Sequence, residues 1–150
     1  MAGGPTRQDT FEVWVRVQDV THPNKIMLSL GIWDKKTGGQ IDSEEYKYPP
    51  GGMRPMVSLG GRRTTDNITV SRLYRLVRDH QELLGRLMSG VGRARMEVAQ
   101  QPLDIEGNTF GRPIVTRGTL KRVTPPDVDS ESSDPAMIEL EMTVEGDPVV

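Results

Sequence analysis

Apolar and polar residues alternate with period two over most of this chain, the signature of half-buried strands. In "TFEVWVRV", Phe11, Val13, Val15 and Val17 share one face, and Glu12, Trp14 and Arg16 the other. The turn His22-Pro23-Asn24-Lys25 ends that run. "IMLSLGIW" predicts a second strand with Ile26, Leu28, Leu30 and Ile32 on one face. "DKKTGG" then turns the chain into a third extended piece, "QIDSEEYKY", and two strands joined this way predict a hairpin. "DNITVSR" is a strand with Ile68 and Val70 inward, "RARMEVAQQ" another, "DIEGN" a turn and "TRGTLKRV" a further strand. The last strand, "MIELEMTVEG", is the clearest: Ile138, Leu140, Met142 and Val144 alternate with Glu139, Glu141, Thr143 and Glu145.

One segment changes period. From about Leu73 to Met88, Leu73, Leu76, Val77, Leu84, Leu87 and Met88 recur at helical spacing, with Leu83 beside them and His80 on the same stripe. Gly90 supplies a stop, and Arg75–Asp79, Arg78–Glu82 and Glu82–Arg86 fall at i,i+4 on the remaining surface. The expected fold class is therefore mainly β, two packed antiparallel sheets in a β-sandwich or barrel with one helix (about 73–89) on it. At 150 residues a single domain spanning 1–150 is expected, with segments 49–66 and 124–136 as extensions. The first is rich in Pro, Gly and Arg; the second, "TPPDVDSESSDP", is polar and acidic and reads as a mobile surface loop.

Composition narrows the function classes. Sixteen Gly and eleven Pro favour a turn-rich β fold, and 5% aromatic content argues against a base-stacking single-strand binder. With no cysteine, a disulfide, a thiolate nucleophile and a Cys-based metal site are all excluded. "MAGGPTRQDT" shows no secretory pattern, and "IMLSLGIW" is far short of the ~20 residues that span a bilayer, so a soluble protein without stable membrane association is expected.

Net charge is only −2, but it is unevenly spread. Arg54 to Arg95 holds nine Arg against three acids, whereas Asp127 to Asp147 holds eight acids and no Lys or Arg. Such a chain either has an ordinary solvated surface or is self-complementary, basic zone against the acidic zone of the next copy.

Catalytic chemistry is poorly supported. His22 and His80 are the only histidines, and no acid or nucleophile at useful spacing accompanies them, so no metal site is assigned. "GGRRTT" lacks the Lys-Ser/Thr of a phosphate-binding loop and feeds a strand instead of a helix. "DVDSESSD" has spaced carboxylates but no central Gly, and position twelve counted from Asp127 is Ile138, where a calcium loop needs Glu. No enzyme activity and no cofactor are expected.

Several stretches in order carry a resemblance: Glu44-Glu45-Tyr46 and then Gly51-Gly52; Gly60-Gly61-Arg62-Arg63 before Ile68-Thr69-Val70-Ser71-Arg72; a helix; and a closing strand ending in Glu145-Gly146. In this order the chain, from about Phe11 to Gly146, resembles the tail tube proteins of long-tailed bacteriophages. The likeness is strongest to the tubes of contractile tails and the hemolysin-coregulated proteins of type VI secretion.

The resemblance implies hexameric rings stacked into a hollow tube, a conduit for DNA ejection. It implies a virion location, assembly in the bacterial host cytoplasm, and sheath, tape measure, tail terminator and baseplate proteins as partners. It also implies a lumen barrel of four strands per subunit. About twenty-four strands spaced ~4.8 Å and tilted ~40° give a circumference of roughly 150 Å and a backbone diameter of about 48 Å. With ~5 Å of side chain on each wall, about 38 Å remains, enough for a duplex roughly 20 Å across. A conduit must not grip its cargo, so a neutral to acidic lumen is expected, with Glu44 and Glu45 facing it. Arg54, Met56, Leu59, Arg62 and Arg63, with Glu139, Glu141 and Glu145, are the expected inter-subunit or inter-ring residues. A tube subunit of a type VI-like or extracellular contractile injection system is the nearest alternative. A β-barrel nucleic-acid binder is the rival from another class; it predicts that Arg62→Ala with Arg63→Ala abolishes a DNA shift.

Overall fold

Nine strands arise from the alternating segments among residues 7–150, which the computed structural model describes apart from the side chains of Gln8 and Val77. The expected lack of a leader concerns a segment whose first six residues lie outside the described ones. The strands are β1 (Phe11–Gln18), β2 (Met27–Trp33), β3 (Lys35–Gly38), β4 (Ile41–Tyr48), β5 (Val57–Thr65), β6 (Ile68–Leu73), β7 (Arg95–Pro102), β8 (Ile114–Thr124) and β9 (Met137–Val144). Seven form one antiparallel sheet in the order β2-β1-β7-β8-β9-β6-β3, and β4 with β5 forms a second.

The edge strands of the large sheet, β2 and β3, are consecutive in the chain and separated only by Asp34. Asp34 donates its backbone N–H to the Ser71 carbonyl at 3.1 Å, and Arg72 on β6 reaches the Leu30 carbonyl on β2 at 2.9 Å. The sheet is thus folded over on itself, sandwich-like, and is not closed into a barrel. Its inner faces supply the core: Val13, Val15, Val17, Met96, Val98, Leu120, Ile138, Leu140, Met142, Ile68 and Val70 are all buried in one cluster. The alternation of β1, β6 and β9 is therefore as the sequence predicts.

β2 departs from its predicted faces. Leu30 and Trp33 are buried, while Ile26 and Ile32 are exposed. Val15 pairs with Gly31 and Arg16 with Ser29, so Leu30 is an extra residue, a bulge made possible by the positive φ (76°) of Gly31. One inserted residue inverts the alternation beyond it. β2 also does not form the predicted hairpin with the next extended segment, because β3 intervenes and β4 pairs with β5.

The helical segment is shorter than predicted and buries a different stripe. Leu73 belongs to β6; π-type turns run over Leu76–Leu83 and α1 follows at Leu84–Ser89. Asp79, Leu83 and Leu87, at i,i+4 spacing, face inward, while Leu73, Leu76, Met88 and His80 are exposed. Asp79 is no surface partner of Arg75: its carboxylate is fully buried, receives the Arg72 guanidinium and accepts the Arg75 N–H at 2.8 Å.

Half of segment 49–66 is strand, β5, and the rest joins it to β4 and β6. Pairings Lys35↔Ser71 to Gly38↔Ile68 and Ile41↔Thr65 to Ser43↔Arg63 keep one register. β3–β4 and β6–β5 are therefore one long ribbon, interrupted at Gly38-Gly39. Both glycines have positive φ (90° and 83°), and a Cβ on Gly38 would lie 2.0 Å from the Asn67 carbonyl oxygen. Here the ribbon leaves the body as an arm, residues 41–65. Gly38→Ala is expected to destabilise the fold by about 2–4 kcal/mol, through left-handed strain and the clash together, read as a lower urea midpoint.

Candidate functional site

Every residue of β4 is exposed, and all of β5 except the half-buried Gly61 and Thr65. The arm is not uniformly polar. Tyr46 pairs with Leu59 and Tyr48 with Val57, so these four share one face at 48–57% exposure. The same face carries Glu44, whose carboxylate accepts the Tyr46 hydroxyl at 2.6 Å. That hydrogen bond raises the Tyr46 phenol above its ordinary value. The opposite face carries Glu45 and Lys47 with Ser58 and Gly60. At the tip between the strands, Met53 and Met56 are exposed as well. A two-stranded ribbon with both faces in water is marginally stable at best, and among the described residues β4 and nearly all of β5 stay exposed.

Glu44 and Glu45, expected to share one environment, are neighbours on a strand and project to opposite faces. Arg54, Met56, Leu59, Arg62 and Arg63 are all exposed on the arm. Arg63 already pairs with Asp147 at 3.2 Å, tying the arm's base to the body. Of the acidic strand, Glu141 is paired with Arg122 at 2.8 Å and Glu145 accepts the Thr119 hydroxyl at 2.7 Å, so much of that charge is answered internally. Glu139 projects from the same outer face of β9.

Two polar constellations went unforeseen because their members are far apart in sequence. Arg72, 3% exposed, lies 4.6 Å over the Trp33 ring and joins the Leu30 carbonyl to Asp79. Burial pushes its guanidinium below the ordinary value, and the Asp79 charge opposes that. On the outer face of the sheet, Glu97 receives Arg16 from β1 and Arg117 from β8. The Arg16 hydrogen bond, then that of Arg117, outweighs burial and holds the Glu97 carboxyl below the usual carboxylate range. A carboxyl depressed by folding stabilises above its unfolded pKa and loses that contribution as pH falls through the folded value. Glu97→Gln should therefore cost up to about 1 kcal/mol above roughly pH 5 and nothing in strong acid, read from urea midpoints across pH.

The histidines do not form a pair. The His22 Nδ1 accepts the Asn24 N–H at 3.1 Å in its turn, and the His80 Nδ1 lies 2.8 Å from the Tyr74 hydroxyl. Among the described residues, no three metal-ligating side chains converge. No helix among them is long and apolar enough to cross a membrane.

Solved structures share this architecture. A chain of the anti-feeding prophage baseplate superposes with a TM-score of 0.69 at 12% identity, covering 99% of this chain and 96% of the other. A chain of the PVC sheath–tube complex, an extracellular contractile injection system in its extended state, does so at 0.69 and 15%, covering 99% and 92%. A chain of the PVC sheath/tube terminator gives 0.66 and 15%, covering 99% and 98%. The chain thus has a tail-tube-like fold, matched over its whole length; at these identities the likeness is one of fold. No protein-family model and no curated protein matches the sequence.

Proposed function

We propose that this chain is a structural, non-catalytic subunit of a tail or injection tube, forming hexameric rings that stack around a central channel. The observation that carries this reading is the arm: a two-stranded ribbon with Tyr46, Tyr48, Val57 and Leu59 half exposed on one face. Covering the exposed half of each such side chain contributes about 1 kcal/mol, and a ring or stack of identical copies offers every arm the same cover. It also pairs or shields open strand edges that would otherwise invite aggregation. A single domain 1–150 with the arm and segment 124–136 as extensions fits this use.

The resemblance to phage tubes and the fold shared with chains from contractile injection particles both support the same architecture. In the phage reading the subunit belongs to the virion, is assembled in the bacterial host cytoplasm, and passes genomic DNA. Sheath, tape measure, terminator and baseplate proteins are its partners. Because the arm's faces differ, only one glutamate lines the channel in this account: Glu45, beside Lys47 and Ser58, with Glu44 turned toward a neighbour. Glu45 and Lys47 cancel, giving the neutral wall over which a polyanion slides. Negative-stain microscopy of the purified protein at rising concentration should show rings or tubes with a central hole; a monomer at every concentration would refute the proposal.

A further inference from the structure

The arm's apolar face needs an acceptor, and the body displays one. On the outer face of the large sheet, Ile32 pairs with Trp14, Trp14 with Ala99, Ala99 with Val115, and Val115 with Val149. These residues form an apolar row across β2, β1, β7 and β8. Trp14 is 42% and Ile32 47% exposed, and Ala99 and Val115 are half-buried, so the Trp14–Ile32 end of the row is open to solvent.

We infer that this row is the seat for the arm of an identical neighbour. The inference rests on the tube reading and adds which surface receives the arm. Charge and spacing argue for a second copy of this chain. Two residues along the strands from the apolar row lies a row of Arg16, Glu97 and Arg117, basic by one charge. Two residues from Tyr46 on the same arm face lies Glu44, with Asp42 two further on. Both steps measure about 6.8 Å, so Tyr46 and Leu59 on the apolar row put Glu44 beside Arg16 and Arg117. On the far side, Glu12 and Gln101 are opposite one another and face Tyr48, whose hydroxyl can donate to either. Glu12 is itself held in place by the Trp14 indole N–H at 3.2 Å. The acidic face of β9 fits less well: its Glu139 and Glu141 would meet the arm's own Asp42 and Glu44, like against like.

The native chain has no cysteine, so single Cys variants report cleanly. Chains carrying Trp14→Cys are co-assembled with chains carrying Tyr46→Cys and treated with a bismaleimide of about 10 Å reach, the spacing of stacked sheets. A covalent dimer of the two variants is expected, with none from Glu139→Cys mixed with Tyr46→Cys. Glu44→Arg and Arg16→Glu are each expected to raise the concentration needed for assembly about tenfold, and combining them should restore it. If tubes form but cross-linking selects Glu139→Cys or neither site, the seat is wrong while the tube stands. If the unsubstituted protein never assembles, both fail.

Discussion

Replacing Tyr46 and Leu59 together by aspartate should abolish assembly and leave the isolated chain as stable as before. The two are cross-strand partners on the arm's apolar face, half exposed, and lie outside the buried core cluster. Exposed substitutions away from caps and networks alter stability by about 0.5 kcal/mol or less. In an assembled ring the same positions are covered. Losing those two half-burials removes about 2 kcal/mol per contact, and desolvating the two aspartates costs about 2 kcal/mol or more again, raising the required concentration roughly a hundredfold or more. Sedimentation velocity gives assembly and urea unfolding of the dilute chain gives stability; the prediction is a large change in the first alone. A parallel loss of both would mean that the arm is part of the folding core.

The second large effect belongs to the body. Asp79→Ala removes the carboxylate that meets the buried Arg72 guanidinium, leaving a desolvated charge in contact with the Trp33 ring. Breaking one side of a buried pair costs about 3–5 kcal/mol, which for a chain of this size lowers the melting temperature by roughly 10 °C. The pair also pins the helical segment: Asp79 caps the Arg75 N–H, and Arg72 holds the Leu30 carbonyl of the bulged strand. Replacing both partners, Arg72→Met with Asp79→Leu, should recover most of the loss, because no charge is then buried alone. Differential scanning calorimetry of the single and double variants checks this, and equal losses in both would show that the pair matters through its hydrogen bonds.

Local patterning made the body legible. β1, β6 and β9 follow strict alternation because each is straight and buries one face, so Val15, Val70 and Leu140 lie where period two puts them. The pattern misled where a single backbone event intervened. A bulge at Leu30-Gly31 turns Ile32 outward, and nothing in the residue types distinguishes that glycine from one in a regular strand. Asp79 misled for another reason: at i,i+4 from Arg75 it looks like a surface pair, but its true partner lies on a strand seven residues earlier. The arm was half legible. Its Pro, Gly and Arg content set segment 49–66 apart as an extension, and that composition hid the strand in Val57–Thr65. The Glu97 cluster was invisible because sequence alone does not give the register of β1, β7 and β8 that brings Arg16 and Arg117 to it.

Hydrogen exchange on the arm speaks most directly to the idea that copies complete one another. In dilute monomer, amides of residues 41–65 should exchange orders of magnitude faster than those of β8 and β9, since a lone ribbon opens readily. In assembled material the same amides should become as slow as the core. Slow exchange in the dilute monomer, unchanged on assembly, would show that the arm is complete by itself and contradict the account.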